Sequence, residues 1–326
     1  PRADQVLLDW YSGTPPYTVT PLQGIRNACG TKVKIKYSPE NQLDEAVKAA
    51  KSSDVAIVII GNNPIGAAEG WKVSPVPSDG KEAVDRKALT LEQEDLVKLV
   101  YQANPNTVVV LVSSFPFAIN WSYENVPAIL HMTHNSQEMG NGLADVLFGK
   151  ANPAGRLVQT WPKSITQLPP IMDYNILNGR TYMYFKDTPL FPFGYGLSYS
   201  TFQYSNLNVS SALLPEDSEI RISVDIKNEG TMDGDEVVQL YVRFPDSKVE
   251  RPIKQLKGFV RTNIKAGETK TVTIPLRGED LAYWNEKNHS FYVEQGKVEL
   301  LVGASSADIR LKKTITTAKR IINPKI

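Results

Sequence analysis

The chain has 326 residues, of which 41% are apolar, and its formal net charge is +1. This length and apolar content allow two domains with conventional hydrophobic cores. The balanced charge argues against nucleic acid or an anionic membrane surface as the partner, and no apolar run is long enough to span a bilayer. The single cysteine, Cys29, excludes an internal disulfide framework and a multi-cysteine metal site.

The compartment and the completeness of the chain are weakly constrained by the sequence. A chain with one cysteine is compatible with the cytosol or the periplasm, and we favour a periplasmic or extracellular location. The first residues, PRADQVLLDW, have neither an initiator methionine nor the pattern of a signal peptide. We therefore expect the sequence to be part of a longer protein.

Residues 1–150 alternate predicted strands with predicted helices. Apolar runs predict strands at VKIKY (33–37), VAIVIIG (55–61), TVVVLVSS (107–114) and PAILHM (127–132). Helices are predicted at LDEAVKAAKSS (43–53), after a capping box formed by Thr90 and Gln93, and at EMGNGLADVLFG, which ends at Gly149. Continuous apolar strands separated by helices predict an α/β sandwich with a mainly parallel sheet.

The rest of the chain differs in composition. Residues 151–216 are rich in proline, glycine and aromatic residues, which predicts an ordered strap because flexible linkers are polar. Residues 217–326 contain short segments that alternate apolar and polar residues, separated by turns such as NEGTMDG. This pattern predicts an all-β sandwich of about a hundred residues.

Five blocks resemble, in order, the C-terminal part of family 3 glycoside hydrolases, which include β-glucosidases and β-xylosidases. The blocks are LLDWYSGTPPYTVTPLQGI, EAVDRKALTL, EMGNGLADVLFGKANPAGRL, PLFPFGYGLSYSTF and GDEVVQLYVRFPDSKVERPIKQLKGF. The resemblance implies an α/β sandwich followed by a fibronectin type III-like (immunoglobulin-like) domain. It also implies an N-terminal (β/α)₈ barrel with an aspartate nucleophile in an SDW-type motif. Asp9 only superficially resembles that aspartate, because it lies in the YSGTPP block that belongs to the second domain.

Glu82 is the residue to which the resemblance assigns chemistry. Family members often carry the proton donor as the glutamate of an EGxDR-like motif, and the matching residues here are EAVDR (82–86), with Ala83 in place of glycine. Retaining glycosidases need two carboxyl groups about 5–5.5 Å apart, and the donor must keep its proton near the working pH. Without the resemblance, Glu82 is expected to be a solvated loop carboxylate.

Other residues near Glu82 have alternative interpretations. Glu69, in AAEGW, is the second candidate for the proton donor, although no Asp-Arg pair follows it. Trp71 is a candidate platform for stacking a sugar ring, and plain packing is an equal alternative. We expect Asp85 and Arg86 to be structural residues that clamp the end of the loop to the start of the following helix.

The remaining polar motifs do not predict a metal or a cofactor. His131 and His134 end a strand, and no further Cys or His cluster completes a zinc site. Gln137 and Glu138 match a GQE-like segment of the family, and Glu138 is expected at the start of a helix. The glycine-containing segments lack the context of a phosphate-binding loop, which argues against a flavodoxin-like cofactor protein.

Two functions from different classes stay open. The first is the C-terminal half of a retaining exo-β-glycosidase, preferably a β-glucosidase, which acts on a β-linked glucoside or xyloside together with a (β/α)₈ barrel and without a cofactor. The alternative is a non-catalytic carbohydrate-binding or scaffold module. Association of several copies of the chain is compatible with either function.

Overall fold

The computed structural model describes residues 3–4, 13–39, 42–62, 86–134, 137–214 and 218–322. The chain divides into two units. The first comprises Pro1–Ala151, Trp161–Met172 and Thr188–Leu190, and the second comprises Asn152–Thr160, Asp173–Asp187 and Phe191–Ile326. The predicted strap therefore contributes residues to both units. Within the described ranges, no helix combines the length and the apolar character needed to cross a membrane.

The first unit contains a three-stranded parallel sheet. Its strands are β1 (Ala56–Gly61), β2 (Thr107–Val112) and β3 (Ala128–Met132), with β2 in the middle. Continuous runs of β-branched residues suit strands that are covered on both faces. The structure confirms the strands predicted from the runs VAIVIIG, TVVVLVSS and PAILHM.

Helices cover both faces of this sheet. The described helices of the first unit are α1 (Pro21–Cys29), α2 (Leu43–Lys51), α3 (Glu94–Ala103), α4 (Asn120–Asn125) and α5 (Met139–Leu147). Leu143 of α5 packs against Val110 and Val112 of β2, while α3 packs against β1 and β2. Val109 and Leu111 alternate with Val110 and Val112 along β2 and therefore face the other side of the sheet. They are also buried. The predicted α/β sandwich is confirmed.

Helices α1 and α5 cross where each has a glycine. A Cβ atom on Gly24 would lie 2.0 Å from the carbonyl oxygen of Gly140, and one on Gly140 would lie 2.0 Å from the carbonyl oxygen of Thr20. No side chain fits at such separations, so glycine is required at both positions. The crossing fixes the start of α5 relative to the residues before α1.

Residues 33–37, predicted as a strand, do not form one. A groove of about 820 Å³ lies between this segment and β1. Lys36 Nζ bonds the carbonyl oxygen of Ser52 and also its hydroxyl oxygen, the latter at 2.6 Å. Alternating residues make a segment compatible with a strand, but a strand also needs a hydrogen-bonded neighbour. The prediction from the pattern VKIKY was therefore wrong.

The predicted start of α3 also needs correction. The capping box would begin the helix after Thr90, whereas α3 begins at Glu94, with Gln93 at the N-cap and no side-chain cap. The side-chain oxygen of Gln93 instead accepts a hydrogen bond from the backbone N–H of Gly61, at 2.7 Å. Because backbone donors at the end of a strand also need acceptors, Gln93 is used there.

The second unit is a β-sandwich. Its described strands are β4 (Phe202–Val209), β5 (Leu213–Leu214), β6 (Glu219–Asn228), β7 (Gly234–Arg243), β8 (Gln255–Ile264), β9 (Thr269–Arg277), β10 (Tyr283–Asn285), β11 (Ser290–Val293), β12 (Gly296–Gly303), β13 (Ile309–Thr317) and β14 (Arg320–Ile322). They form sheets in the orders β5-β13-β12-β7-β8, β4-β6-β9 and β10-β11-β14. Ile222 of β6 and Leu240 of β7 belong to one shared core. The predicted sandwich is confirmed, and its first strand begins at Phe202, earlier than the sequence pattern predicts.

Buried polar bonds hold parts of the Pro/Gly/aromatic segment on the sandwich. Arg156 Nη2 lies 2.9 Å from Glu236 Oε2, and these side chains are only 9% and 3% exposed. The other oxygen of Glu236 accepts a hydrogen bond from Tyr204 at 2.6 Å, and burial beside this carboxylate raises the pKa of Tyr204 well above its usual value. Such contacts agree with an ordered strap, whereas its boundaries at residues 150 and 216 stay predictions.

Candidate active site

The carboxyl ends of the three parallel strands meet at one edge of the sheet. Asn62 follows β1, Ser114 follows β2 and His134 follows β3. Asn62 Oδ1 accepts a hydrogen bond from the Ser114 backbone N–H at 3.1 Å and lies 3.2 Å from His134 Nε2. Because a carboxamide oxygen can only accept, His134 Nε2 carries the hydrogen in this contact. Asn62 thus joins the ends of all three strands, at the edge where α/β proteins bind ligands.

The side-chain amide nitrogen of Asn62 takes no part in these contacts. Asn62 is 7% exposed, and its Nδ2 is buried without a hydrogen-bond partner among the residues that the structure describes. An unsatisfied buried donor costs about 1–3 kcal/mol, and departures of this kind concentrate at functional sites. Asn62 is not among the residues predicted from the sequence, although a polar residue directly after a buried parallel strand is a usable signal.

A second histidine contact lies on β3. Ser113 Oγ is 3.1 Å from His131 Nε2, and the imidazole meets the Trp161 ring edge-on with 5.1 Å between the centroids. Partial burial lowers the pKa of His131, and a hydrogen bond with the backbone of Ser113 opposes this shift. His131 and His134 are thus engaged by a serine and an asparagine. Across the described ranges, no group of three His, Cys, Asp or Glu residues is placed to hold a metal ion.

Arg86 is held by the segment that follows β2. Its Nη1 donates to the carbonyl oxygen of Pro116 at 2.7 Å. The guanidinium carbon lies 4.8 Å from the ring centroid of Phe115 and 4.4 Å from that of Phe117, where cation–π attraction adds to the hydrogen bond. These contacts agree with the predicted structural role of Arg86, but its partners lie in the segment after β2 and not at the start of the following helix, where the clamp was predicted.

Asn62 and Arg86 flank residues 63–85, and both attach to the same segment. Asn62 bonds Ser114, and Arg86 bonds Pro116, so we name residues 114–117 the loop seat. The predicted functional residues Glu69, Trp71, Glu82 and Asp85 lie outside the described residues. The described contacts therefore fix Asn62 and Arg86, the residues directly before and directly after this stretch.

Glu138 lies at the N-cap of α5, as predicted, but its side chain does not cap the helix backbone. Its carboxylate accepts hydrogen bonds from Tyr17 Oη and Asn141 Nδ2, both at 2.6 Å. These bonds, that of Tyr17 first, lower the pKa of Glu138. The neighbouring Gln137 carbonyl accepts from the backbone N–H of Val19 at 2.6 Å. This segment joins the start of α5 to the residues before α1.

Family models match most of the chain. The model described as the glycosyl hydrolase family 3 C-terminal domain matches residues 1–199. The model described as a fibronectin type III-like domain matches residues 236–306. The first covers the parallel sheet and its edge, and the second lies within the β-sandwich.

Individual relatives agree with these matches. The chain is 36% identical to a β-xylosidase of Formosa agariphila, over 96% of this chain and 43% of that protein. It is 36% identical to thermostable β-glucosidase B of Acetivibrio thermocellus, over 94% of this chain and 42% of that protein. The crystal structure of a β-D-glucoside glucohydrolase from Trichoderma reesei superimposes with a TM-score of 0.83 at 30% identity, over 96% of this chain and 47% of that one. The chain thus spans less than half the length of these relatives.

Proposed function

Because the chain belongs to glycosyl hydrolase family 3, we propose that it is the C-terminal part of a retaining exo-β-glycosidase. We prefer a β-glucosidase, with a β-linked glucoside or xyloside as substrate. Glu82 is the general acid and base. The nucleophile is an aspartate of a (β/α)₈ barrel, in the N-terminal part of the family protein that this chain does not span.

Coverage of the relatives carries this proposal. Nearly the whole chain matches proteins named as a β-xylosidase and a β-glucosidase, yet it spans only 43% and 42% of them. A retaining mechanism requires two carboxyl groups. We assign one to this chain and the other to the part that the chain does not span.

Glu82 acts twice in the proposed reaction. In the first step it protonates the glycosidic oxygen, while the aspartate attacks the anomeric carbon and the bond to the leaving group breaks. In the second step the Glu82 carboxylate removes a proton from water, and this water attacks the anomeric carbon and releases the sugar from the aspartate. Because the same group gives and then takes a proton, its pKa must lie near the working pH.

The loop seat supports this role for the segment between Asn62 and Arg86. Catalytic groups must be held within a fraction of an ångström of the productive geometry. Asn62 and Arg86, the residues on either side of this segment, both bond to residues 114–117, and fixed flanks favour such positioning. Trp71, in the same segment, is proposed to stack on a pyranose ring.

The test uses a hybrid protein. In the hybrid, the N-terminal part of thermostable β-glucosidase B that this chain does not span precedes the 326 residues. The hybrid is expected to hydrolyse an aryl β-glucoside, whereas the chain alone is not, because it lacks half of the carboxyl pair. Glu82→Ala is expected to lower kcat of the hybrid by about 10²–10⁴-fold. Azide should restore turnover, because it attacks the glycosyl-enzyme without base assistance.

Glu69→Ala is the matched control, because it removes a carboxyl group from the same segment. Azide rescue of Glu69→Ala, with little effect of Glu82→Ala, would move the role to Glu69. Robust turnover by the chain alone would contradict the division of the carboxyl pair. A hybrid that binds cello-oligosaccharides without hydrolysing them would favour the carbohydrate-binding or scaffold module.

A further inference from the structure

An exposed apolar loop of the second unit has no part in the reaction proposed above. We name residues 173–179 the exposed loop. Tyr174 is 84% exposed, Ile176 45% and Leu177 37%. Scattered apolar residues are normal on a protein surface, but several large ones within one short segment indicate an interaction site.

Side-chain hydrogen bonds give the exposed loop a defined shape. Asp173 accepts from the backbone N–H of Asn175 at 2.9 Å with one carboxylate oxygen and from Asn178 Nδ2 at 2.7 Å with the other. Asn175 Oδ1 accepts from the backbone N–H of Leu177 at 3.1 Å and caps a 3₁₀ turn at Ile176–Asn178. Asp and Asn side chains replace ladder bonds in such turns, so the apolar residues are presented by an ordered segment.

The residues that follow attach the exposed loop to the sandwich. Arg180 Nη2 donates to the carbonyl oxygen of Asp173 at 2.9 Å. Tyr182 Oη accepts from the backbone N–H of Leu256 at 2.9 Å. Tyr174 is therefore exposed on a segment that is attached to β8, through Tyr182, a few residues further along the chain.

We propose that the exposed loop docks on the N-terminal half of the family 3 protein, the half that this chain does not span. This inference rests on one part of the proposed function, namely that this chain and an N-terminal half belong to one protein. The chain spans only 42–43% of the length of its relatives. The part of those relatives that it does not span is therefore longer than this chain, and such a part needs a surface on which to pack. Tyrosine and aliphatic residues suit the desolvated centre of such an interface.

The chemistry of the exposed loop favours a protein surface over other occupants. Ile176 and Leu177 have no side-chain groups that could bond the hydroxyl groups of a sugar. Both carboxylate oxygens of Asp173 and one guanidinium nitrogen of Arg180 are used inside the segment. The loop therefore lacks the cluster of basic residues that attracts anionic lipids.

The experiment compares one pair of substitutions in two proteins. Tyr174→Ser with Leu177→Ser is made in the 326-residue chain and in the hybrid defined above. The matched control is Phe259→Ser, which removes an aromatic side chain that is 63% exposed on β8. In the free chain, neither the double substitution nor the control substitution is expected to alter the Tm. In the hybrid, the double substitution is expected to lower the Tm by about 2–4 °C, and the control is not. Nitration of Tyr174 by tetranitromethane, measured by mass spectrometry, should be slower in the hybrid.

Each outcome decides between the inferences. Equal Tm effects and equal nitration rates in the two proteins overturn the docking proposal. A free chain that sediments as a dimer, and becomes monomeric on double substitution, assigns the loop to a second copy and also overturns it. A hybrid that protects Tyr174 but cleaves no glycoside keeps the docking proposal and overturns the proposed function. An active hybrid in which Tyr174 is nitrated as fast as in the free chain keeps the proposed function and overturns the docking proposal.

Discussion

Two buried asparagines, one in each unit, use their side chains differently. Asn228, the last residue of β6, donates through Nδ2 to the carbonyl oxygens of Met232 and Ile264, both at 2.9 Å, and accepts from the backbone N–H of Gly230 at 2.9 Å. Asn62, directly after β1, uses only its oxygen, and its buried Nδ2 has no partner among the described residues. The first asparagine thus bonds through both side-chain atoms, whereas the second bonds, within the described part of the chain, only through its oxygen.

The difference separates a region built for stability from a region that we assign to function. In the sandwich, Glu236 is 2% exposed and both of its oxygens are bonded. At the carboxyl edge of the parallel sheet, the unused donor of Asn62 lies where the segment that carries Glu82 begins. Natural proteins violate local rules of hydrogen bonding mainly at functional sites. Substitutions in the sandwich should therefore reduce stability, and those at the edge should mainly alter the loop.

The largest effect is expected at the buried ion pair of the sandwich. Arg156→Met leaves the Glu236 carboxylate buried without its cationic partner, and the expected cost is about 3–5 kcal/mol of unfolding free energy. Urea unfolding, followed by amide hydrogen exchange in β7, measures this cost in the second unit.

The control for Arg156→Met is the double variant Arg156→Met with Glu236→Gln. Glutamine removes the uncompensated charge but keeps a side-chain oxygen that can accept from Tyr204, so the double variant should recover much of the loss. If the double variant is as unstable as the single one, the cost comes from lost packing, and the interpretation of the ion pair is wrong.

The local sequence pattern predicted most of the strands and helices correctly. The errors arose where contacts between distant residues determined the structure. The runs VAIVIIG and TVVVLVSS become strands because both faces are buried. VKIKY has an acceptable pattern but is not paired with any strand that the structure describes, and Gln93 caps the end of β1 where a helix cap was predicted. Arg156 and Glu236 are 80 residues apart in the chain, so no local pattern could identify this pair.

The candidate site depended on the resemblance more than the fold did. A glutamate between polar neighbours has no local feature that separates a proton donor from a solvated charge, so Glu82 was identified only through the EAVDR match. The loop seat was not predicted, because it requires the ends of β1 and β2 to be adjacent. That adjacency follows from strand order, which the sequence does not specify.

The two asparagines allow a direct test of the comparison. Asn228→Ala deprives two carbonyl groups and one N–H of their partner, and it should cost about 3 kcal/mol. Asn62→Ala deprives the Ser114 N–H and His134 Nε2 of their acceptor. It also removes a buried donor that has no partner among the described residues, and the net cost should be about 1 kcal/mol. Hydrogen exchange in β6 and in β2 measures the two units separately. Equal losses would show that the unused donor of Asn62 has no energetic consequence.

The smallest effect on stability is expected at Arg86. Arg86→Lys keeps the charge but loses the planar group that packs against Phe115 and Phe117, and we expect a cost of about 0.5–1 kcal/mol. The loss should be local, because Ala118, the residue directly after the loop seat, donates its N–H to the carbonyl oxygen of Leu89 at 2.7 Å and so attaches the seat to residues 86–89. The Ala118 amide should therefore exchange faster in the variant, while amides in β6 should exchange at the original rate.

In the hybrid, the same substitution should lower kcat more than it raises KM, since a misplaced Glu82 impairs proton transfer more than sugar binding. Faster exchange in β6, or an unchanged kcat, would contradict the assignment of Arg86 to positioning this loop.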